Sequence, residues 1–208
     1  QGSDAFGIAH ARTAGGPEAT LDGALQSVHG YGPSTLLLVL ANPETRFSGG
    51  GYDGDSGGAW QGGSWSVERA DGSPIGVGAV HRATRPVSQP DYPVGYERFG
   101  DGDVVDLEHR IFLRLEAPIG ERELLRVRHE GGGTALDVTV PFSDRYLETP
   151  LLQVNQVGYN PEASLRWAYV SGWMGDGGAA DLSALPEAAG VLVEPLDVLA
   201  TRGAELEG

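Results

Sequence analysis

Between Ala24 and Pro141 the chain runs in short stretches in which apolar side chains recur at every second position, divided by clusters of Gly, Pro, Asp and Ser. A period of two belongs to extended backbone, whose successive side chains point to opposite faces. The pattern predicts strands at Ala24–His29, Thr35–Leu40, Ser64–Arg69, Ile75–Arg82, Val104–Leu115, Leu124–Arg128 and Leu136–Pro141. Alternation is clearest in His109–Leu115, where Ile111, Leu113 and Leu115 share one face and Arg110, Phe112 and Arg114 the other. Leu36–Leu40 is apolar throughout and reads as a buried strand. Gly30-Tyr31-Gly32-Pro33 and Asp71-Gly72 are turn signals between neighbouring runs. Asn42–Gly63, with glycines at 49, 50, 51, 54, 57, 58, 62 and 63, reads as one long loop. Loops of that length are uncommon in compact domains unless they have a function.

No stretch before residue 178 shows a capped helical stripe; Asp181–Ala189 offers one helical turn and Val191–Glu194 a further strand. The expected fold is all-β. An arm at 1–20 is followed by an antiparallel β-sandwich of about seven strands over 21–148. A polar junction at Ser143–Pro150 leads to a second β unit over 151–208.

Composition agrees with many short strands joined by turns, since Gly (33) and Pro (13) make up about a fifth of the chain. The net charge of −15 comes from 29 carboxylates against 14 arginines, with no lysine. Such a chain repels phosphate backbones, so nucleic acid is excluded as a non-specific partner. The absence of cysteine excludes disulfides, thiolate metal sites and a cysteine nucleophile. No apolar run reaches the roughly 20 residues of a helical membrane span.

The stretch Leu151–Trp173 reads as strand, turn, strand, broken at Gly158-Tyr159-Asn160-Pro161. Its run Val154-Asn155-Gln156-Val157-Gly158-Tyr159-Asn160-Pro161, with Arg166 in a following basic slot, resembles the opening of the immunoglobulin-like domain that precedes the catalytic barrel in family-nine glycoside hydrolases, the cellulase group. The resemblance implies a partial immunoglobulin-like β-sandwich over 151–208, because these residues are little more than half of the roughly 100 that a complete one uses. It implies a secreted protein whose leader has been removed ahead of Gln1. It also implies a partner in the catalytic barrel of the same parent protein or of a neighbouring copy, with polysaccharide as a further contact. The family's D-A-G-D-type base motif and helical barrel are absent from these residues, so no catalytic residue carries over and no hydrolysis is expected of this chain alone. The alternative is an assembly subunit, in which a neighbour's strand completes the unfinished sandwich.

Several side chains are candidates for chemistry. Tyr52, Trp60, Trp65, Tyr92 and Tyr96 lie in or beside glycine-rich segments and are candidate carbohydrate platforms, because an aromatic face with a polar rim suits a sugar ring. Trp167, Tyr169 and Trp173 alternate on a strand and are assigned to core or domain-interface packing. Asp53 and Asp55, and Asp101, Asp103 and Asp106, are candidate Ca2+ ligands, with Asp176 and Asp181 a weaker pair of the same kind. Neither of the first two clusters completes a twelve-residue calcium loop. Gly54–Gly58 spells GDSGG, the run around the nucleophile of trypsin-like serine proteases. In those enzymes the His and Asp partners lie upstream, whereas only His10 and His29 precede Ser56, and Ala59 stands where they carry Pro. The run is read as a glycine-rich loop, and His109 as a structural histidine.

Overall fold

The computed structural model describes residues 24–48, 51–87, 104–120, 122–142, 149–153, 162 and 169–183, with backbone alone at 44, 47, 48 and 51–53. Two antiparallel sheets face each other. The five-stranded sheet holds β1 (Leu25–Gly30), β2 (Thr35–Ser48), β7 (Val104–Leu115) and β6 (Val77–Pro86) in that order, with β3 (Gly51–Asp53) also paired to β2. The four-stranded sheet has the order β5 (Pro74–Ile75), β4 (Ser64–Arg69), β8 (Leu124–Gly131) and β9 (Thr134–Pro141). The expected all-β sandwich is the fold of the described chain.

The sequence pattern explains the layers. Leu36, Leu38 and Leu40 of β2 and Ile111, Leu113 and Leu115 of β7 point into the sandwich, where they meet Val67, Leu125, Val127, Leu136, Val138 and Val140 of the other sheet. The remaining apolar residues of β2 are not wasted. Leu37 and Val39 face the opposite way and join Tyr31, Phe112, Leu151 and Met174 in a second cluster. A strand covered on both sides has to be apolar at every position, and this is why Leu36–Leu40 lacks alternation. Phe112 likewise lies buried on the arginine-bearing face of β7, with its ring 4.9 Å from that of Tyr31.

The cover on this outer face is the chain after the junction. Leu152 pairs with Val170 and Gln153 with Tyr169, so β10 (Leu152–Gln153) and β11 (Tyr169–Val170) run antiparallel, while the turn expected at Gly158–Pro161 lies outside the described residues. Leu151, Val170, Met174, Ala180 and Leu182 sit against the sheet. Trimming Met174 to alanine is expected to cost about 2 kcal/mol of unfolding free energy. Chemical denaturation checks this, and an unchanged midpoint would mean that the cover contributes nothing.

Two segments depart from expectation. The loop expected over Asn42–Gly63 is instead the second half of β2, the short strand β3 and the helix α1 (Gly57–Gly62). The strand continues because β7 pairs with it as far as Arg46↔Val104, across an irregularity between Asn42 and Thr45. Glycine fills three of the six positions of α1, a poor composition for a helix, so the helix is held by packing rather than propensity. Trp60 anchors it, buried in the core between the sheets. The single strand expected over Ile75–Arg82 divides at Gly76: Ile75 pairs with Val67 in one sheet, and Val77 with Leu115 in the other.

Turn chemistry follows the sequence closely. Gly72, at φ +82°, sits in the turn that returns β4 to β5. Gly132 and Gly133, at φ +59° and +82°, form the two-residue loop between Gly131 and Thr134, the positive-φ pair that a tight hairpin turn requires.

Candidate functional site

The inward face of the five-stranded sheet changes character along its length. The row Leu36, Leu38, Leu40 continues as Asn42, and its neighbours at that end are Arg82, Thr84 and His109, with Leu40 and Thr84 flanking His109 in register. Helix α1 closes this end of the sandwich and brings Asp55 and Ser56 onto the polar row. A Ser, a His, an Asp and an Asn therefore converge from three segments distant in sequence, an arrangement with the residue types of a catalytic site.

The hydrogen bonds decide what it can do. Asn42 Oδ1 accepts from the Ser56 amide at 2.8 Å and from the Ser56 hydroxyl at 2.8 Å. A backbone N–H can only donate, so the atom facing it is the oxygen of the amide, and Asn42 Nδ2 donates to Thr45 Oγ1 at 3.1 Å. His109 Nε2 lies 3.1 Å from that same oxygen and must therefore carry a proton. Its Nδ1 then accepts from the Thr84 hydroxyl at 2.9 Å. The ring is fully buried, and burial holds its pKa below the ordinary value; Arg82 adds to this and Asp55 opposes it. A neutral imidazole with both nitrogens engaged is not poised to take a proton from Ser56, whose hydroxyl is committed to Asn42. The arrangement cross-links β2, β6, β7 and α1, and the GDSGG run supplies its turn.

Asp55 is engaged as well. Its Oδ1 accepts from the Gly57 amide at 2.7 Å and lies 3.5 Å from His109 Nε2 and 3.9 Å from Arg82 Nη1. The Asp55 carboxylate, expected as a Ca2+ ligand, is thus shared between a backbone amide, an imidazole and a guanidinium. Asp106 lies half-buried on β7. Asp53 is in β3, where the backbone alone is described, and Asp101 and Asp103 fall outside the described residues. Among the described residues no three His, Asp or Glu side chains are grouped to hold a metal. Asp176, the weaker Ca2+ candidate, ties the turn Gly175–Gly177 to the sandwich. It accepts from the Arg82 amide at 2.8 Å and from the Gln61 side chain, and these donors hold its pKa below the usual range although burial pushes the other way. Asp181 accepts from the Ser183 amide at 2.9 Å.

The aromatic candidates are also redistributed. Trp60 is 4% exposed, which leaves no open face for a sugar and corrects its assignment as a platform. Trp65 is half-buried, and its indole N–H donates to the Trp60 carbonyl at 2.8 Å. Both rings pack on the buried His129, at centroid distances of 4.9 Å and 4.4 Å. His129 bonds Thr134 Oγ1 through Nε2 at 2.8 Å, while its Nδ1 has no protein partner. Because the Thr134 hydroxyl donates to the Gly131 carbonyl, Nε2 carries the proton here too. Tyr52 lies in β3 with its backbone alone described, and Tyr92, Tyr96 and Trp167 fall outside the described residues. Tyr169 and Trp173, assigned to packing, are both exposed.

No protein-family model, curated protein or solved structure matches the chain. The resemblance at Val154–Pro161 rests on those residues alone, and they lie outside the described ones.

The two histidines set a pH dependence. Burial depresses the folded-state pKa of His109 and of His129 below the roughly 6.5 of an unfolded chain. Between those values the unfolded state holds more protons than the folded one. Stability is therefore complete above about pH 6.5 and declines as pH falls through the folded-state values. Thermal unfolding followed from pH 8 to pH 5 should show a falling midpoint, and a flat profile would contradict the neutral, buried rings.

Proposed function

We propose that this chain is a non-catalytic accessory region of a secreted, cellulase-like glycoside hydrolase. Its sandwich supports and positions a catalytic barrel carried elsewhere in the parent protein or by a neighbouring copy, and contacts polysaccharide. The observation that carries the non-catalytic part is the closed arrangement around Asn42. Where Ser56, His109 and Asp55 come together, Nε2 carries a proton and the hydroxyl is committed to Asn42. The link to the hydrolase family is carried by Val154–Pro161 and supported by the antiparallel pairing of Leu152–Gln153 with Tyr169–Val170 on either side of this run.

Incubation of the chain with a soluble β-glucan is expected to release no reducing ends, and measurable release would overturn the non-catalytic reading. In the parent protein, deletion of 24–183 is expected to lower the melting temperature of the barrel; an unaffected barrel would overturn the supporting role. The sheet edges favour a second reading as an assembly subunit, since among the described residues β9 pairs with β8 alone and an open edge is a template for another strand. Sedimentation distinguishes the two, with a monomer in dilute solution counting against assembly.

A further inference from the structure

The segment from Tyr169 to Met174 is two-faced. Val170 and Met174 are turned onto the five-stranded sheet, and a Cβ added at Gly172 would run into Leu151 and come within 2.6 Å of Tyr31 Oη. The intervening residues Tyr169, Ser171 and Trp173 point outward, and the two aromatic residues are each 66% exposed. Single exposed apolar residues are commonplace on a protein surface. Two large aromatics held in line by a clamped inner face are a different matter.

The clamp can be specified. The Ser171 amide donates to the Leu151 carbonyl at 3.0 Å, the Ala180 amide to the Gly172 carbonyl at 2.9 Å, and the Met174 amide to the Gly178 carbonyl at 2.7 Å. The Tyr31 hydroxyl donates to the Trp173 carbonyl at 3.3 Å. Between the rings, Gln153 Nε2 donates to Ser171 Oγ at 3.0 Å, so a polar pair sits at the middle of the row. In extended backbone four residues span about 13 Å, which suits an oligosaccharide rather than one sugar.

We propose that Tyr169, Ser171 and Trp173, with Gln153, form a binding strip for a neutral, extended glycan. The inference rests on the accessory reading above and moves its polysaccharide contact from the Tyr52–Trp65 segment to the outward side of Tyr169–Trp173. The chemistry of the strip selects this occupant. Aromatic faces cover the C–H faces of sugar rings while the amide and hydroxyl address their hydroxyl groups. The strip itself bears no charge on a chain of net charge −15, so it suits an uncharged polymer and disfavours an acidic one. A protein partner fits less well, because a row one strand wide falls far short of the roughly 800 Å² per side of a stable interface.

The test is affinity electrophoresis and pull-down of the full chain on cellulose, xylan and mannan, with polygalacturonate as the acidic comparison. Retention is expected on at least one neutral polymer, weakened about tenfold or more by Trp173→Ala and by Tyr169→Ala. Both variants should keep the parent unfolding midpoint, since the side chains removed face solvent. No retention on any neutral polymer would overturn the proposal, as would retention unchanged in the double variant or equal retention on polygalacturonate. Retention that survives the double variant leaves the accessory reading standing with its contact elsewhere, whereas loss of the supporting role is read separately from the melting of the barrel.

Discussion

Gly63→Ala is expected to lower the unfolding free energy by about 3 kcal/mol, a large part of the stability of a domain of this size. The backbone at Gly63 is extended, φ −77° and ψ 178°, a conformation open to any residue. The cost comes from space alone. A Cβ at this position would overlap the His129 ring, and that ring cannot retreat. Trp60 and Trp65 pack on it, and Thr134 holds Nε2 at 2.8 Å. An internal control lies five residues away. A Cβ at Gly58, on the exposed side of α1, meets nothing within 4 Å, so Gly58→Ala should be neutral or raise stability by up to about 1 kcal/mol through helix propensity. Denaturant unfolding of the pair separates a packing constraint from a general intolerance of side chains in the glycine-rich segment. Equal behaviour of the two variants would contradict the placement of His129.

Asn42→Ala is the second substitution with a large expected effect. One oxygen serves three donors, the Ser56 amide, the Ser56 hydroxyl and His109 Nε2. Stranding a buried donor costs about 1–3 kcal/mol. His109 is fully buried and Ser56 half-buried, so a total loss of about 3 kcal/mol is expected. Asn42→Asp discriminates a lost acceptor from lost bulk. It keeps an oxygen for all three donors and adds a negative charge beside His109, which favours the imidazolium. That variant should recover part of the stability and raise the His109 pKa, read by ring NMR titration. In the parent protein the ring-nitrogen shifts should report the Nε2–H tautomer at neutral pH. An Nδ1–H tautomer would overturn the hydrogen-bond assignment and reopen the question of a base for Ser56.

Much of the sandwich was legible because its signal is local. The alternation of Ile111, Leu113 and Leu115 and the Asp71-Gly72 turn are visible in the sequence without knowledge of their partners, and Ser64–Arg69 and Val104–Leu115 form over the expected residues. Other features needed the third dimension. Pro43 and the glycines that follow disguised the continuation of β2, which persists because β7 supplies a partner. Helix α1 was illegible because its glycines argue against a helix, and the deciding contact, Trp60 in the core, joins distant segments. The same distance hid the site. Asn42, Ser56, Thr84 and His109 share no spacing rule, although the change from leucine to asparagine along the inward row of β2 marks where the apolar core stops. Surface exposure was the least legible property: Trp60 in a glycine-rich stretch lies inside, while Tyr169 and Trp173 on a strand lie outside.

The two-sided burial of β2 bears on how the protein can be divided. A cut after Glu148, where the chain reads as two units, would strip Leu151 and Met174 from Leu37, Val39 and Phe112. It would thereby uncover a contiguous greasy surface of the kind that drives precipitation. The first 148 residues produced on their own should therefore be sticky and poorly behaved. A well-behaved product would extend through Leu182, whose side chain is the last described one to lie on that surface.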